Sequence, residues 1–114
     1  MEISFEGIGQ VAATFAAAEG VAVGMAVALT ADSTVGTGKA GDAPCGKVLS
    51  VNNSMAAVQI SGMMQLAYSG SAPAIGMGTV AVDGNGKIKT VTSGGMSCMI
   101  VSVNTGDSTA VIKL

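Results

Sequence analysis

The sequence predicts a single all-β domain spanning residues 1–114, a compact β-barrel or β-sandwich of roughly eight to ten short strands. The first observation is the glycine content, 17 of 114 residues against a usual share of about 7%. The second is that short apolar runs alternate with smaller or polar residues between turns rich in Gly, Asn and Asp. The third is the scarcity of aromatic residues, 3% of the chain, which leaves Val, Ile, Leu, Met and Ala to build the core.

Residues 76–91 contain the clearest β-hairpin pattern. Two valines alternate with small residues before the turn, and Ile88 and Val91 follow it. The turn is Asp83-Gly84-Asn85-Gly86, a composition suited to a tight reversal because Gly and Asn tolerate positive φ angles. Residues 24–35 repeat the pattern more weakly, with Gly-Met, an apolar strand, an Asp-led turn and a β-branched exit. We interpret the two segments as structurally similar hairpins, which a duplication would explain.

The N-terminal part of the chain contains one ambiguous segment. Residues 1–9 are expected to form a short arm, in which Ile3 and Phe5 alternate with polar residues. In residues 10–19 the five alanines favour a helix, whereas the alternation of apolar residues around Thr14 favours a strand. We expect a strand there.

The rest of the chain is predicted to alternate between strands and turns. Besides the hairpin at 76–91, the expected strands are residues 21–29, 47–51, 55–64, 98–103 and 110–114. The expected loops and turns are residues 30–33, 36–46, 52–54, 69–73, 93–95 and 104–107. Leu66 and Tyr68 are expected to extend the 55–64 strand past a break at Gly62.

Two glycine motifs resemble nucleotide-binding loops. Gly36-x-Gly38-x-x-Gly41 has the spacing of the dinucleotide fingerprint, but a strand and not a helix is expected after it. Gly41-x-x-x-x-Gly46-Lys47 approaches a phosphate-binding loop, but Val48 replaces the Ser or Thr that holds magnesium. Neither motif is expected to bind a cofactor.

Candidate catalytic and metal-binding residues are few. Asp83-x-Asn85-Gly86 has the wrong spacing for a calcium loop and fits a hairpin turn better. The chain has no His, so Cys45 and Cys98 have no imidazole to activate them. The acidic residues are scattered, mostly in turns, where Asp forms local hydrogen bonds. We therefore expect no enzyme activity, no cofactor and no metal site.

Charge and hydropathy exclude further classes. The chain has five Lys, no Arg and a net charge of −2, which argues against a nucleic-acid partner. Residues 21–29 are apolar but too few to span a bilayer, so no membrane association is expected. The N-terminus lacks the basic region of a signal peptide, so the protein is not expected to be secreted by that route. Its two cysteines are expected to be reduced and mostly buried.

The low charge, 11% of residues, leaves two accounts of the surface. The surface could be apolar because it packs against other proteins, or it could be covered by Ser, Thr, Gly and Asn. Most of the eight Met residues are expected in the core, with Met63-Met64 as the exposed pair because adjacent strand residues face opposite ways. The candidate interface residues are therefore Ile3, Phe5, Met63 and Met64.

The order of motifs resembles that of a known family, the small capsid-decoration (head cement) proteins of tailed phages and prophages, formerly a domain of unknown function. The motifs are Gly20-Val21-x-x-Gly24-x-x-Val27-x-Leu29, Asp42-x-x-x-Gly46-Lys47-Val48, Val58-x-Ile60-x-Gly62, Ala74-x-Gly76-x-x-x-Val80-x-Val82-Asp83 and Ala110-Val111-Ile112-Lys113-Leu114. The resemblance covers most of the chain.

This resemblance implies a compact β-barrel-like protein, often trimeric, that binds the major capsid protein on the outside of an assembled shell. The expected location is the virion surface, or the host cytoplasm during assembly. Two alternatives remain open at this point. One is another phage structural β-module, from a tail, spike or fibre. The other is a small-ligand-binding β-barrel, which would be a monomer with a cavity.

Overall fold

The computed structural model describes residues 10–114, in which all regular secondary structure is β-strand, as predicted. The ten strands are β1 (Val11–Ala17), β2 (Ala26–Ala31), β3 (Thr34–Gly36), β4 (Gly46–Asn52), β5 (Met55–Ser61), β6 (Met63–Ala67), β7 (Gly76–Val82), β8 (Ile88–Thr90), β9 (Met96–Asn104) and β10 (Thr109–Lys113). They form two groups of five, which we call the first unit (residues 11–61) and the second unit (residues 63–113). The expected arm, residues 1–9, lies outside the described residues.

The first unit is a closed barrel with the strand order β1-β3-β2-β4-β5. The barrel closes because β1 pairs antiparallel with β5 on one side and parallel with β3 on the other. Val27, Val35, Val48 and Val58 are fully buried and pack together. These branched side chains fill the barrel interior and form its packed core.

The second unit is a sheet with the order β6-β10-β9-β7-β8, in which all neighbours are antiparallel. A single parallel bridge between Tyr68 and Ile88 links its two edges, and the Ser69 N–H donates to the Ile88 carbonyl at 2.9 Å. The buried core of this unit includes Met64, Leu66, Tyr68, Val80, Val82, Ile88, Cys98, Ile100, Ala110 and Ile112.

The two units share one topology. In each unit, the first strand pairs antiparallel with the fifth strand on one side and parallel with the third strand on the other. The second strand lies between the third and the fourth strands. Each has a β-bulge at the corresponding point, with Leu49 as the extra residue in β4 and Val101 in β9. Ser-Val-Asn follows both bulges, at residues 50–52 and 102–104. The likeness of the two hairpins noted in the sequence therefore extends over both units.

The hairpin of β7 and β8 joins the units. Its turn lies on β2, where the Ala26 N–H donates to the Gly86 carbonyl at 2.9 Å. Gly86 has a φ of 90°, and a Cβ there would lie 2.8 Å from Met25 Cγ, so a larger residue would strain the turn. Ala26 and Ala28 are buried within the core of the second unit. The units are therefore packed together through shared apolar contacts.

Two strand boundaries predicted from the sequence are wrong. The strand expected at residues 21–29 begins only at Ala26, because turns at Gly20 and Gly24 make residues 18–25 a loop. The strand expected at 55–64 ends at Ser61, and β6 is not its extension. Gly62, with a φ of 97°, redirects the chain there, so that β5 and β6 belong to different units. The strands predicted at 10–19 and in both hairpins are confirmed.

Asp83 holds the turn of the β7–β8 hairpin closed. Its carboxylate accepts hydrogen bonds from the backbone N–H groups of Asn85 at 2.8 Å and Lys87 at 3.0 Å. Partial burial alone would raise the pKa of Asp83, but these bonds, a bond from the Ser69 side chain and the charge of Lys87 together hold it below its usual value.

This lowered pKa predicts a pH-dependent contribution to stability. A carboxyl with a lower pKa in the folded state stabilises the fold above its unfolded pKa of about 3.9, and the contribution is lost as pH falls through the folded pKa. Asp83→Asn should therefore lower the thermal midpoint near neutral pH and flatten its acid dependence. Thermal unfolding followed by circular dichroism between about pH 6 and pH 2 would measure both effects. An acid dependence identical to that of the wild type would contradict this role.

Candidate protein-interaction surface

The outer face of the second unit carries a row of four side chains from four neighbouring strands. Met63 of β6 is paired with Lys113 of β10, Lys113 with Met99 of β9, and Met99 with Met77 of β7. Directly paired residues of neighbouring strands point to the same side of a sheet. Their chain neighbours Met64, Ile100 and Ile112 point into the core, so this row points outward. We call these four residues the methionine row.

The methionine row is largely open to solvent. Met77 is 72% exposed and Met99 is 45% exposed, while Met63 is half-buried and Lys113 is exposed. Ile75, which precedes β7, is also 67% exposed. Exposed apolar clusters mark protein contacts, and Met is enriched at such contacts because its flexible side chain adapts to a partner. The row is therefore a candidate protein-binding surface.

The four predicted interface residues have different outcomes in the structure. Met63 belongs to the row, but Met64 is fully buried in the core, so the prediction that Met64 is exposed is wrong. The alternation of strand side chains places one member of this pair inside. Ile3 and Phe5 lie outside the described residues, and their interface role stays a prediction.

Sequence reasoning missed Met77 and Met99. The prediction that most methionines lie in the core is wrong, because among the described residues only Met64 is a fully buried methionine. The available signal was the alternation within β9, where Met99 lies between the core residues Cys98 and Ile100. The pairing that brings Met99 beside Met77 could not be read from either strand alone.

The loop that carries Gly36-x-Gly38-x-x-Gly41 is used for packing between the units. The Val82 N–H donates to the Asp42 carbonyl at 2.9 Å, and the Gly41 N–H donates to the Val82 carbonyl at 3.0 Å. A Cβ at Gly38 would lie 3.0 Å from the Cβ of Ala28, which explains the need for a small residue there. No helix follows the motif in the described chain, in agreement with the prediction.

A shallow groove of about 500 Å³ lies beside this loop, lined by Glu19, Thr30, Thr37, Lys39 and Asp42 among others. The Asp42 carboxylate accepts a hydrogen bond from the Lys39 N–H at 3.0 Å, which is a local turn contact. This contact accounts for the position of the Asp42 carboxylate at the groove.

Both cysteines are free thiols, as predicted. Cys98 is buried in the core of the second unit, and Cys45 is half-buried against the barrel core. Burial raises the pKa of both thiols, which disfavours the reactive thiolate. Among residues 10–114 no three His, Cys, Asp or Glu side chains lie close enough together to hold a metal ion.

No model of a known protein family matches the sequence, and no curated protein matches it significantly. Within the part of the chain that the structure describes, no helix is both long and apolar enough to cross a bilayer.

Proposed function

We propose that the protein is a structural component of a phage or prophage particle, which decorates and stabilises the outside of the capsid by binding the assembled shell. Its partner in this proposal is the major capsid protein, and it acts on the virion surface as a homo-oligomer, with a trimer as the candidate stoichiometry. The motif resemblance supports this proposal, and the compact all-β fold is the one that the resemblance implies.

The observation that carries the proposal is the methionine row. A chain that exposes Met77 and Met99 side by side on a rigid sheet has an apolar surface suited to covering by protein. The second sheet fixes the row, because each of its strands is paired and its inner face is packed. A rigid scaffold with such a surface is what a structural assembly protein requires.

The physics of decoration fits a small, rigid protein. A protein that binds the assembled shell more tightly than free subunits stabilises the shell by mass action. Each shell repeats its binding sites many times, so that several linked copies bind far more tightly than one copy does. A modest contact surface on each chain is therefore sufficient.

Co-sedimentation with phage particles induced from the encoding strain tests the proposal. We expect saturable binding of the purified protein to mature shells and no binding to unassembled capsid subunits. Shells carrying the protein should also resist heat better than bare shells, because bound protein favours the assembled state. Binding to isolated tails alone would indicate the tail or fibre alternative, and no binding to any particle would reject the proposal.

A further inference from the structure

The methionine row has a counterpart in the first unit. Ala12 of β1 is paired with Gln59 of β5, Gln59 with Lys47 of β4, and Lys47 with Ala26 of β2. These strands correspond one by one to those that carry Met63, Lys113, Met99 and Met77. Because the pairings match at every step, the two rows occupy equivalent places in the two units.

Two residues of the first-unit row, Ala26 and Gln59, are covered within the chain, while Lys47 is half-buried and Ala12 is exposed. Ala26 is fully buried in the core of the second unit, and its N–H bonds to the Gly86 carbonyl of the β7–β8 turn. Gln59 is 2% exposed, and its side-chain amide donates to the Met63 carbonyl of β6 at 2.9 Å. This place in the five-stranded unit is therefore one at which a second such unit packs.

The second-unit row is more apolar than its first-unit counterpart. Met77 stands where the first unit has Ala26, and Met99 stands where it has Lys47. A surface that stays in water favours small or polar side chains, because burying a large apolar side chain lowers the free energy. The exposed row therefore has the composition of a contact, and the chain shows which kind of unit fits that contact.

We infer that the methionine row binds the first unit of a second copy of this chain, head to tail, as the second unit binds the first within one chain. Within one chain, the start of β6 packs on the first-unit row. In the inferred contact, the start of β1 of the second copy, around Ala12, packs in the equivalent way on the methionine row. Lys113 corresponds to Gln59, and its ammonium group is likewise a donor for a backbone carbonyl. Such heterologous contacts build rings when they close and filaments when they do not.

This contact is expected to be weak in free solution. The row spans three strand spacings, about 14 Å, and is one residue wide on each strand. A standard stable interface buries about 800 Å² per partner. This self-association adds detail to the proposed function. It rests on that function only in one respect, because a shell would hold neighbouring copies together and so reinforce the contact.

The test is light scattering and analytical ultracentrifugation of the full chain over a wide range of concentration. The wild type should associate reversibly as concentration rises. The double variant Met77→Lys/Met99→Lys should stay monomeric at concentrations that associate the wild type, because it places three ammonium groups together. Met55→Lys is the matched control, since Met55 is 52% exposed at the far end of β1 and β5 and should not affect association. Circular dichroism should show all variants folded.

A mixing experiment tests the head-to-tail geometry. Ala12→Lys should also abolish association, because it opposes a lysine to Lys113 of the neighbouring copy. Mixing this variant with the double variant should restore pairs containing one chain of each, since each keeps the half of the contact that the other has lost. A wild type that stays monomeric, or a double variant that associates normally, would overturn the inference. Failure of the mixture to pair would overturn the head-to-tail arrangement, whereas a wild type that associates but ignores phage particles would reject only the proposed function.

Discussion

Replacing Gly46 by Ala is expected to lower the free energy of unfolding by more than about 3 kcal/mol, a large share of the roughly 5–15 kcal/mol that stabilises an ordinary domain. Gly46 is buried at the start of β4, where it pairs with Val27 of β2. A Cβ at this position would overlap the backbone carbonyl oxygen of Gln59, and would lie 3.1 Å from Val58 Cγ1. A backbone carbonyl in a paired strand cannot rotate aside, so β4 and β5 would have to separate and open the barrel.

Gly78→Ala is the matched control for Gly46→Ala. Gly78 also lies within a strand, but a Cβ there would meet only Ile100 Cγ1 at 3.6 Å, an ordinary contact. Alanine also restricts the unfolded chain, so this variant should be neutral or more stable by up to about 1 kcal/mol. Urea denaturation followed by circular dichroism would compare the two. Equal losses from both substitutions would show that the close approach at Gly46 is not the cause.

Replacing Ile112 by Ala is expected to cost about 2–5 kcal/mol of stability, through lost burial and the cavity left behind. Ile112 is fully buried in β10, where it is paired with Met64 of β6 and Ile100 of β9. All three belong to the core of the second unit, which also takes in Ala26 and Ala28 from the first unit. The loss should therefore appear in one cooperative unfolding transition of both units.

Met77→Ala controls for the removal of a large apolar side chain from the same sheet. Because Met77 is 72% exposed, its loss should change stability by no more than about 0.5 kcal/mol at low protein concentration. Urea titrations of both variants, followed by far-ultraviolet circular dichroism and by the Tyr68 signal, would give the comparison. Two separate transitions in Ile112→Ala would contradict the shared core, and a cost equal to that of Met77→Ala would contradict the burial of Ile112.

The sequence alone determined the all-β class and most of the turns. Alternation of apolar side chains and the chemistry of Gly, Asn and Asp act over a few residues, so that both hairpins were predicted at their places in the chain. The Asp83 turn is the clearest case, because its carboxylate accepts hydrogen bonds from the backbone N–H groups of Asn85 and Lys87 in the same turn, in addition to one from Ser69. The strand at residues 10–19 was predicted against the helix propensity of its alanines, since its alternation was the stronger signal.

The tertiary structure decided what lies inside and what lies outside. Alternation shows that Met63 and Met64 face opposite ways, but only the packing of the second unit shows that Met64 is the buried one. The break at Gly62 was visible in the sequence, while its role as the junction of two equivalent units depends on which strands pair. The methionine row brings together residues far apart in the chain, and the pairing that aligns them is set by long-range contacts that no local pattern encodes.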